Sequence, residues 1–77
     1  MKSFSCGTMV KVCEGSGCDS GEIGVIIHRS EVRCDHNGIP NIGGGHYSPV
    51  DWRKESAIRY KNGRIGTMFN NRLIKIG

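Results

Sequence analysis

Residues 56–69 decide the fold, and they read Ser56-Ala57-Ile58-Arg59-Tyr60-Lys61-Asn62-Gly63-Arg64-Ile65-Gly66-Thr67-Met68-Phe69. Apolar and polar side chains alternate on both sides of Asn62-Gly63. Asparagine and glycine accept the two positive φ angles of a type I′ turn, so this stretch predicts a β-hairpin with a two-residue loop. The predicted register pairs four sets of residues: Lys61 with Arg64, Tyr60 with Ile65, Arg59 with Gly66, and Ile58 with Thr67.

Two cations face each other at the tip of this predicted hairpin. A like-charge pair across two strands costs up to about 1 kcal/mol. Two interpretations stay open: solvent screens the repulsion between Lys61 and Arg64, or an anion binds between them.

Length and composition predict one all-β domain spanning residues 1–77. Only 36% of the residues are apolar, and 12 glycines interrupt nearly every window long enough for an amphipathic helix. Short strands separated by turn residues follow from this pattern. The first predicted strand is Thr8–Cys13, with Val10 and Val12 in the core, and the second is Ile23–Arg29. Residues 30–34 are either a third strand or the continuation of the second.

The sequence predicts a cytoplasmic protein without a membrane segment. Residues 1–7 lack the apolar stretch of a secretory signal, and no window approaches the roughly 20 apolar residues of a membrane span. In a reducing compartment, four cysteines are not assumed to form disulfides.

Positive charge is concentrated in the C-terminal third of the chain. Residues 1–50 carry four cations and five anions, a net charge of −1, whereas residues 51–77 carry seven cations and two anions, a net charge of +5. A concentrated positive surface attracts polyanions, so RNA or DNA is the first partner to consider. The alternative is that lysine and arginine only keep edge strands soluble.

The first two predicted strands carry a known spacing of glycines and aliphatic residues. The arrangement Gly7-x-x-Val10-x-Val12, followed by a turn and Gly21-x-x-Gly24-x-Ile26, resembles the KOW motif of ribosomal proteins and transcription elongation factors. The segment Asn62-Gly63-x-x-Gly66-Thr67-x-x-x-x-Arg72-Leu73 is similar to the closing hairpin and short helical turn of small SH3-like domains. The resemblance implies a small SH3-like barrel of about five short strands that binds RNA, DNA or protein in transcription or translation.

A long Gly-rich central loop is predicted at about residues 35–55. Such a connection is unusual in a small domain and tends to be functional or disordered. Gly43–Gly45 either allow close approach of a ligand or form a mobile loop, and Trp52 either stacks on bases or closes one end of the barrel. His46 and Tyr47 are the predicted exposed contacts of this loop.

The cysteines offer three alternatives: a zinc site, a disulfide, or buried or free thiols. The candidate ligands are Cys6, Cys13, Cys18 and Cys34, with His28 and His36 nearby. Structural zinc sites usually pair their ligands as C-x2-4-C, and Cys13-x4-Cys18 fits that spacing poorly. Thiols packed as small hydrophobic groups are therefore the expectation, and no cofactor is predicted.

No catalytic motif is apparent, so the protein is predicted not to be an enzyme. Cys34 and His36 lack a third group to orient the imidazole, and no nucleotide-binding loop or metalloprotease motif is present. The favoured hypothesis is a nucleic-acid-binding module, and the alternative is a small adaptor or phage-type regulator that docks on a transcription or translation complex. The predicted nucleic-acid contacts are Arg59, Lys61, Arg64, Arg72, Lys75, His46, Tyr47 and Trp52.

Overall fold

Five antiparallel strands form one sheet in the computed structural model, which describes residues 4–15, 20–40 and 49–77. The strands are β1 (Met9–Val12), β2 (Ile23–Ile27), β3 (Glu55–Tyr60), β4 (Ile65–Phe69) and β5 (Leu73–Lys75). Two short 3₁₀ turns, Arg29–Glu31 and Asn70–Arg72, complete the regular structure of these residues, which contain no α-helix. The all-β prediction is confirmed.

The order of strands across the sheet is β4-β3-β2-β1-β5. Strands β1 to β4 follow one another as antiparallel neighbours, and the chain then returns to the first strand, where Leu73 of β5 pairs with Val12 of β1. The 3₁₀ turn Asn70–Arg72 connects β4 to β5. The first and last strands are therefore neighbours although they are far apart in sequence.

The hairpin of β3 and β4 is present, but its predicted register was wrong by one residue. Arg59 pairs with Ile65, and Ile58 pairs with Gly66. The amide of Tyr60 donates to the Arg64 carbonyl at 2.8 Å, so Lys61, Asn62 and Gly63 form a three-residue loop.

The loop differs from the predicted type I′ turn because only one residue adopts a left-handed conformation. Gly63 has φ +88°, and no described residue other than glycine has a positive φ. Asn62 instead uses its side chain, whose Oδ1 accepts the Arg64 amide at 2.9 Å. The extra loop residue removes the predicted pairings of Lys61 with Arg64 and of Arg59 with Gly66.

Strand β2 ends at Ile27, two residues before its predicted end. His28 Nδ1 accepts the Ser30 amide at 3.1 Å and starts the turn Arg29–Glu31. Residues 30–34 are thus neither a third strand nor the continuation of the second. Beyond the turn, Val32 is buried and Cys34 forms only an isolated bridge with Pro40.

The main core lies on one face of the sheet. Its buried side chains are Val10, Val12, Ile26, Ile58, Tyr60, Met68 and Leu73, with Phe4 packed against them. Cross-strand pairing explains the grouping, since side chains two apart on a strand point to the same face. The predicted core positions Val10 and Val12 are confirmed, at 1% exposure each.

A smaller core covers half of the opposite face, which we call the outer face. Ile27 and Ala57, paired across β2 and β3, are buried with Val32, and Trp52 and Ile65 pack against them. Val32 and Trp52 both come from the connection between β2 and β3. Trp52 therefore contributes to packing on this half of the sheet.

The described parts of the central connection are held by local hydrogen bonds. Asp35 Oδ1 accepts the amides of Asn37 at 2.8 Å and Ile39 at 3.0 Å, and Gly38 adopts φ +80°. Near the other end, the Lys54 amide donates to the Asp51 carbonyl at 2.9 Å. The predictions for Gly43–Gly45 lie outside the described residues.

The turn at Asp51 should weaken in acid. The Arg53 amide, which donates to Asp51 Oδ1 at 3.0 Å, and the Arg53 guanidinium hold the pKa of Asp51 below its usual value of 3.8. A carboxylate with a lowered pKa stabilises the folded state above its unfolded pKa, and this contribution is lost as pH falls through the folded value. We expect the stability difference between wild type and Asp51→Asn, from urea unfolding, to be constant above about pH 5 and to shrink as the pH falls below the ordinary aspartate pKa of 3.8. A difference that grows on acidification would contradict this assignment.

No helix in residues 4–15, 20–40 and 49–77 is long and apolar enough to cross a membrane.

Candidate functional site

The other half of the outer face is apolar and open to solvent. Its side chains come from a row of paired residues, Met9 with Val25 and Val25 with Arg59. Met9 is 46% exposed, and so is Ile76, which follows β5. Large apolar side chains grouped at a surface are more informative than single ones, because soluble domains rarely leave such patches without a use.

These residues form a groove of about 420 Å³, which we call the outer groove. It is lined by Met9, Ile23, Gly24, Val25, Arg59, Tyr60, Lys61 and Ile76. The walls are mostly aliphatic side chains and a thioether. Arg59 and Lys61 provide the charge, and the lining contains no carboxylate.

Backbone pairing holds the groove in place. The Ile76 amide donates to the Met9 carbonyl at 2.9 Å, which extends the pairing of β5 and β1 beyond the strand end. The Lys61 amide donates to the Ile23 carbonyl at 3.0 Å, which ties the hairpin loop to the start of β2. The groove is thus built on hydrogen-bonded strands and their immediate ends, and we expect its shape to be largely formed before a ligand binds.

One of the two cations in the groove has an internal partner. Arg59 Nη2 lies 2.7 Å from Glu31 Oε1, and Glu31 belongs to the turn Arg29–Glu31 beside the covered half of the outer face. The two side chains are 52% and 42% exposed. An ion pair this exposed contributes about 0–1 kcal/mol to stability. Lys61 has no ion-pair partner among the described residues.

The predicted nucleic-acid contacts are divided between several places. Arg59 and Lys61 share the outer groove, whereas Arg64 lies over the Tyr60 ring at 4.9 Å. Arg72, in the turn before β5, lies over the Phe69 ring at 5.6 Å. Lys75 pairs with Val10 and therefore belongs to the core face of the sheet, whereas Arg59 belongs to the outer face.

Of the three remaining predicted contacts, Trp52 belongs to the described residues. Trp52 packs on the covered half of the outer face and is half-buried. His46 and Tyr47 lie outside the described residues. The structure therefore brings together Arg59 and Lys61 from the predicted set.

The cysteines are not all packed inward as expected. Cys6 and Cys34 are exposed free thiols and Cys13 is half-buried, while Cys18 lies outside the described residues. Cys6 belongs to the turn before β1 and Cys34 to an isolated bridge, so neither occupies a sheet position that would direct it to the core. Within the described ranges, no three histidine, cysteine or carboxylate side chains lie close enough to hold a metal ion.

A second depression, of about 190 Å³, lies where β2 ends and β3 begins. Several of its polar side chains are already engaged within the protein. His28 Nδ1 contacts Ser30 Oγ at 2.8 Å, Glu55 Oε2 accepts the Asp51 amide at 3.0 Å, and Ser56 hydrogen bonds to Asn70. The outer groove is larger and more apolar, which makes it the stronger candidate.

Comparison with protein-family models, with curated protein sequences and with solved structures finds no match. The site therefore has to be interpreted from its own geometry. Sequence reasoning missed its aliphatic residues Met9, Ile23, Val25 and Ile76. The available signal was that Met9 lies on the face of the first predicted strand opposite to the predicted core residues Val10 and Val12.

Proposed function

We propose that this protein is a non-catalytic module that binds a segment of another protein in the outer groove. The observation that supports the proposal is the apolar groove on the outer face of the sheet, which is lined by apolar side chains and two cations. Aliphatic walls favour a partner that buries apolar side chains, and backbone-held walls reduce the entropy lost on binding. This is the adaptor hypothesis, with the outer groove of the sheet as the contact surface.

The fold supports a binding role of this kind. We propose that the five strands form an SH3-like barrel related to the KOW domains. The support is the pairing of β5 with β1, the 3₁₀ turn between β4 and β5, and the left-handed glycines Gly7 and Gly21 at the turns before β1 and β2. Such barrels bind protein as well as nucleic acid, so the fold is compatible with docking on a transcription or translation complex. We place this activity in the cytoplasm, where the free thiols of Cys6 and Cys34 stay reduced.

RNA or DNA binding is the second candidate, and it has its own supporting observation. Phe69 is 44% exposed and carries the Arg72 guanidinium over its ring, an arrangement that offers stacking surface beside a cation. This pair lies on β4 and the following turn, outside the lining of the outer groove. The groove itself favours protein, because its aromatic residue, Tyr60, is only 2% exposed and cannot stack on a base.

Matched double substitutions separate the two candidates. Met9→Ser with Ile76→Ser removes two exposed apolar side chains from the groove, and Phe69→Ser with Ile74→Ser removes two of similar exposure outside its lining. We expect short peptides selected from a display library to lose at least about tenfold in affinity for the groove variant, since two buried aliphatic side chains contribute well over 1.4 kcal/mol. The control variant should bind them as wild type does.

The same variants are titrated with single-stranded RNA and DNA at low salt, where phosphate contacts are strongest. Equal loss of peptide binding in both double variants would contradict the groove proposal. Nucleic-acid binding that only the Phe69→Ser with Ile74→Ser variant loses, without any peptide binding by wild type, would establish the second candidate instead.

A further inference from the structure

We infer that the groove's partner is an acidic amphipathic segment, and that Glu31 is an internal competitor which the partner's carboxylate displaces from Arg59. This inference rests on the proposed protein-binding function. It assigns the chemistry of the partner and gives the Arg59–Glu31 ion pair a regulatory role in binding.

The charges of the groove specify an acidic partner. Its lining contributes the two positive charges of Arg59 and Lys61 and no negative charge. A partner that filled the groove with apolar side chains alone would leave Lys61 without a counter-charge and would partly desolvate both cations. A partner with aspartate or glutamate beside its apolar residues satisfies the walls and the cations together.

Glu31 already occupies the position that such a carboxylate would take on Arg59. Its Oε1 lies 2.7 Å from Arg59 Nη2, yet both side chains are about half exposed. A solvent-exposed pair of this kind contributes little to stability, so exchanging one carboxylate for another costs little. Glu31 is attached to the turn Arg29–Glu31, beside the groove and not among its lining residues, so its side chain can swing into solvent when the partner arrives.

Two other occupants fit these charges less well. A second copy docking groove to groove would place the Arg59 and Lys61 side chains of both copies against one another. A nucleic acid would supply negative charge but no aliphatic surface to cover Met9, Val25 and Ile76. The acidic amphipathic segment matches both the apolar side chains and the two cations of the groove.

Synthetic peptides test the inference directly. One peptide alternates leucine with glutamate, its counterpart replaces every glutamate by glutamine, and the protein variants are Glu31→Gln, Arg59→Gln and Glu14→Gln. Glu14 is an exposed carboxylate outside the groove, so its variant controls for the change in net charge. Affinities are measured by titration calorimetry, together with urea unfolding of each variant.

We expect wild type to bind the glutamate peptide about three- to tenfold more tightly than the glutamine peptide, the range for one or two exposed charge pairs. Glu31→Gln should strengthen binding of the glutamate peptide about two- to fivefold and leave the glutamine peptide unchanged, because only a charged ligand competes with Glu31. Glu14→Gln should change neither affinity. Arg59→Gln should reduce the preference for glutamate, and high salt should reduce it in wild type.

Each failure identifies what is wrong. Equal binding of both peptides by wild type, or unchanged or weaker binding of the glutamate peptide by Glu31→Gln, would overturn the acidic partner and the competing role of Glu31 while leaving the groove proposal intact. Failure of wild type to bind either peptide, while it still binds peptides from the display library, would overturn the acidic partner alone. Failure to bind any of these peptides would overturn the groove proposal as well. An RNA or DNA oligonucleotide could instead displace the glutamate peptide and bind more tightly to Glu31→Gln than to wild type. That result would assign the same cations to nucleic acid.

Discussion

Replacing Gly24 by alanine is expected to destabilise the protein by about 2–4 kcal/mol, a large part of the roughly 4–12 kcal/mol available to a domain of this size. A Cβ atom at position 24 would lie 2.5 Å from Ile58 Cγ2 and 2.8 Å from the Arg59 carbonyl oxygen. The isoleucine side chain can rotate, but that oxygen belongs to β3, the strand that pairs with β2. The sheet would have to separate to admit one methyl group, which would also distort the outer groove.

Gly63→Ala is the control for this prediction. Its φ of +88° strains any side chain, but nothing lies within 4 Å of the added Cβ atom, so the expected loss is about 1–2 kcal/mol. Urea unfolding of the two variants gives the comparison. Equal stability of Gly24→Ala and wild type would show that β2 and β3 are farther apart in solution than in this structure.

The hairpin illustrates how far local sequence determines structure. Alternation around Asn62-Gly63 correctly predicted two strands and a tight connection, because period-two patterning and turn residues act locally. It did not determine the register. Asn62-Gly63 suits both a two-residue type I′ loop and the observed three-residue loop with Gly63 left-handed, and the Asn62 hydrogen bond to the Arg64 amide accompanies the second. One residue of slip exchanges the partner of Arg59 from Gly66 to Ile65.

The outer groove lay beyond sequence reasoning for a different reason. Met9 and Ile76 are 67 positions apart in the sequence, and they meet only because β5 returns to pair with β1. A single methionine or isoleucine does not predict a binding site. Sequence predicted the faces of individual strands, whereas the groove depends on the order of strands in the sheet.

Charge counting has a similar limit. The net charge of +5 in residues 51–77 is a property of the chain, but strand pairing decides where the charges go. Arg59 and Lys75 belong to opposite faces of the sheet, and Arg53 pairs with Asp51 at 3.3 Å near the start of β3. The sequence therefore gives the number of cations in this segment. The cross-strand register decides which of those cations lie on the same face and can act together.

The outer face also connects the fold to the proposed function. Val32 and Trp52 cover the half that carries Ile27 and Ala57, and the same connection supplies Glu31 at the boundary with the open half. A single segment thus buries one half of the face and places a carboxylate beside the other. Changes in this connection are expected to alter binding without touching the groove walls.

Ile58→Ala is the second large effect, with an expected loss of about 3–4 kcal/mol and a fall in melting temperature of more than about 10 °C. Ile58 is 0% exposed, the lowest value among the main-core residues, and it faces Ile26 on one neighbouring strand and Gly66 on the other. Gly66 has no side chain and cannot fill the resulting cavity, and collapse of Tyr60 into it would pull the hairpin loop away from β2. Ile74→Ala is the control, since Ile74 is 50% exposed and its truncation should cost less than about 0.5 kcal/mol.

Binding of the synthetic peptide that alternates leucine with glutamate extends this prediction from stability to function. At a temperature where the Ile58→Ala variant is still folded, it should bind the peptide less tightly than the Ile58→Val variant does. The reason is that Ile58 anchors strand β3, and β3 holds Arg59 in the groove. Thermal unfolding and calorimetry on the same samples measure both quantities. Full peptide affinity in a strongly destabilised Ile58→Ala protein would mean that the core and the groove are independent, and the account of the groove as a product of the closely packed sheet would then be wrong.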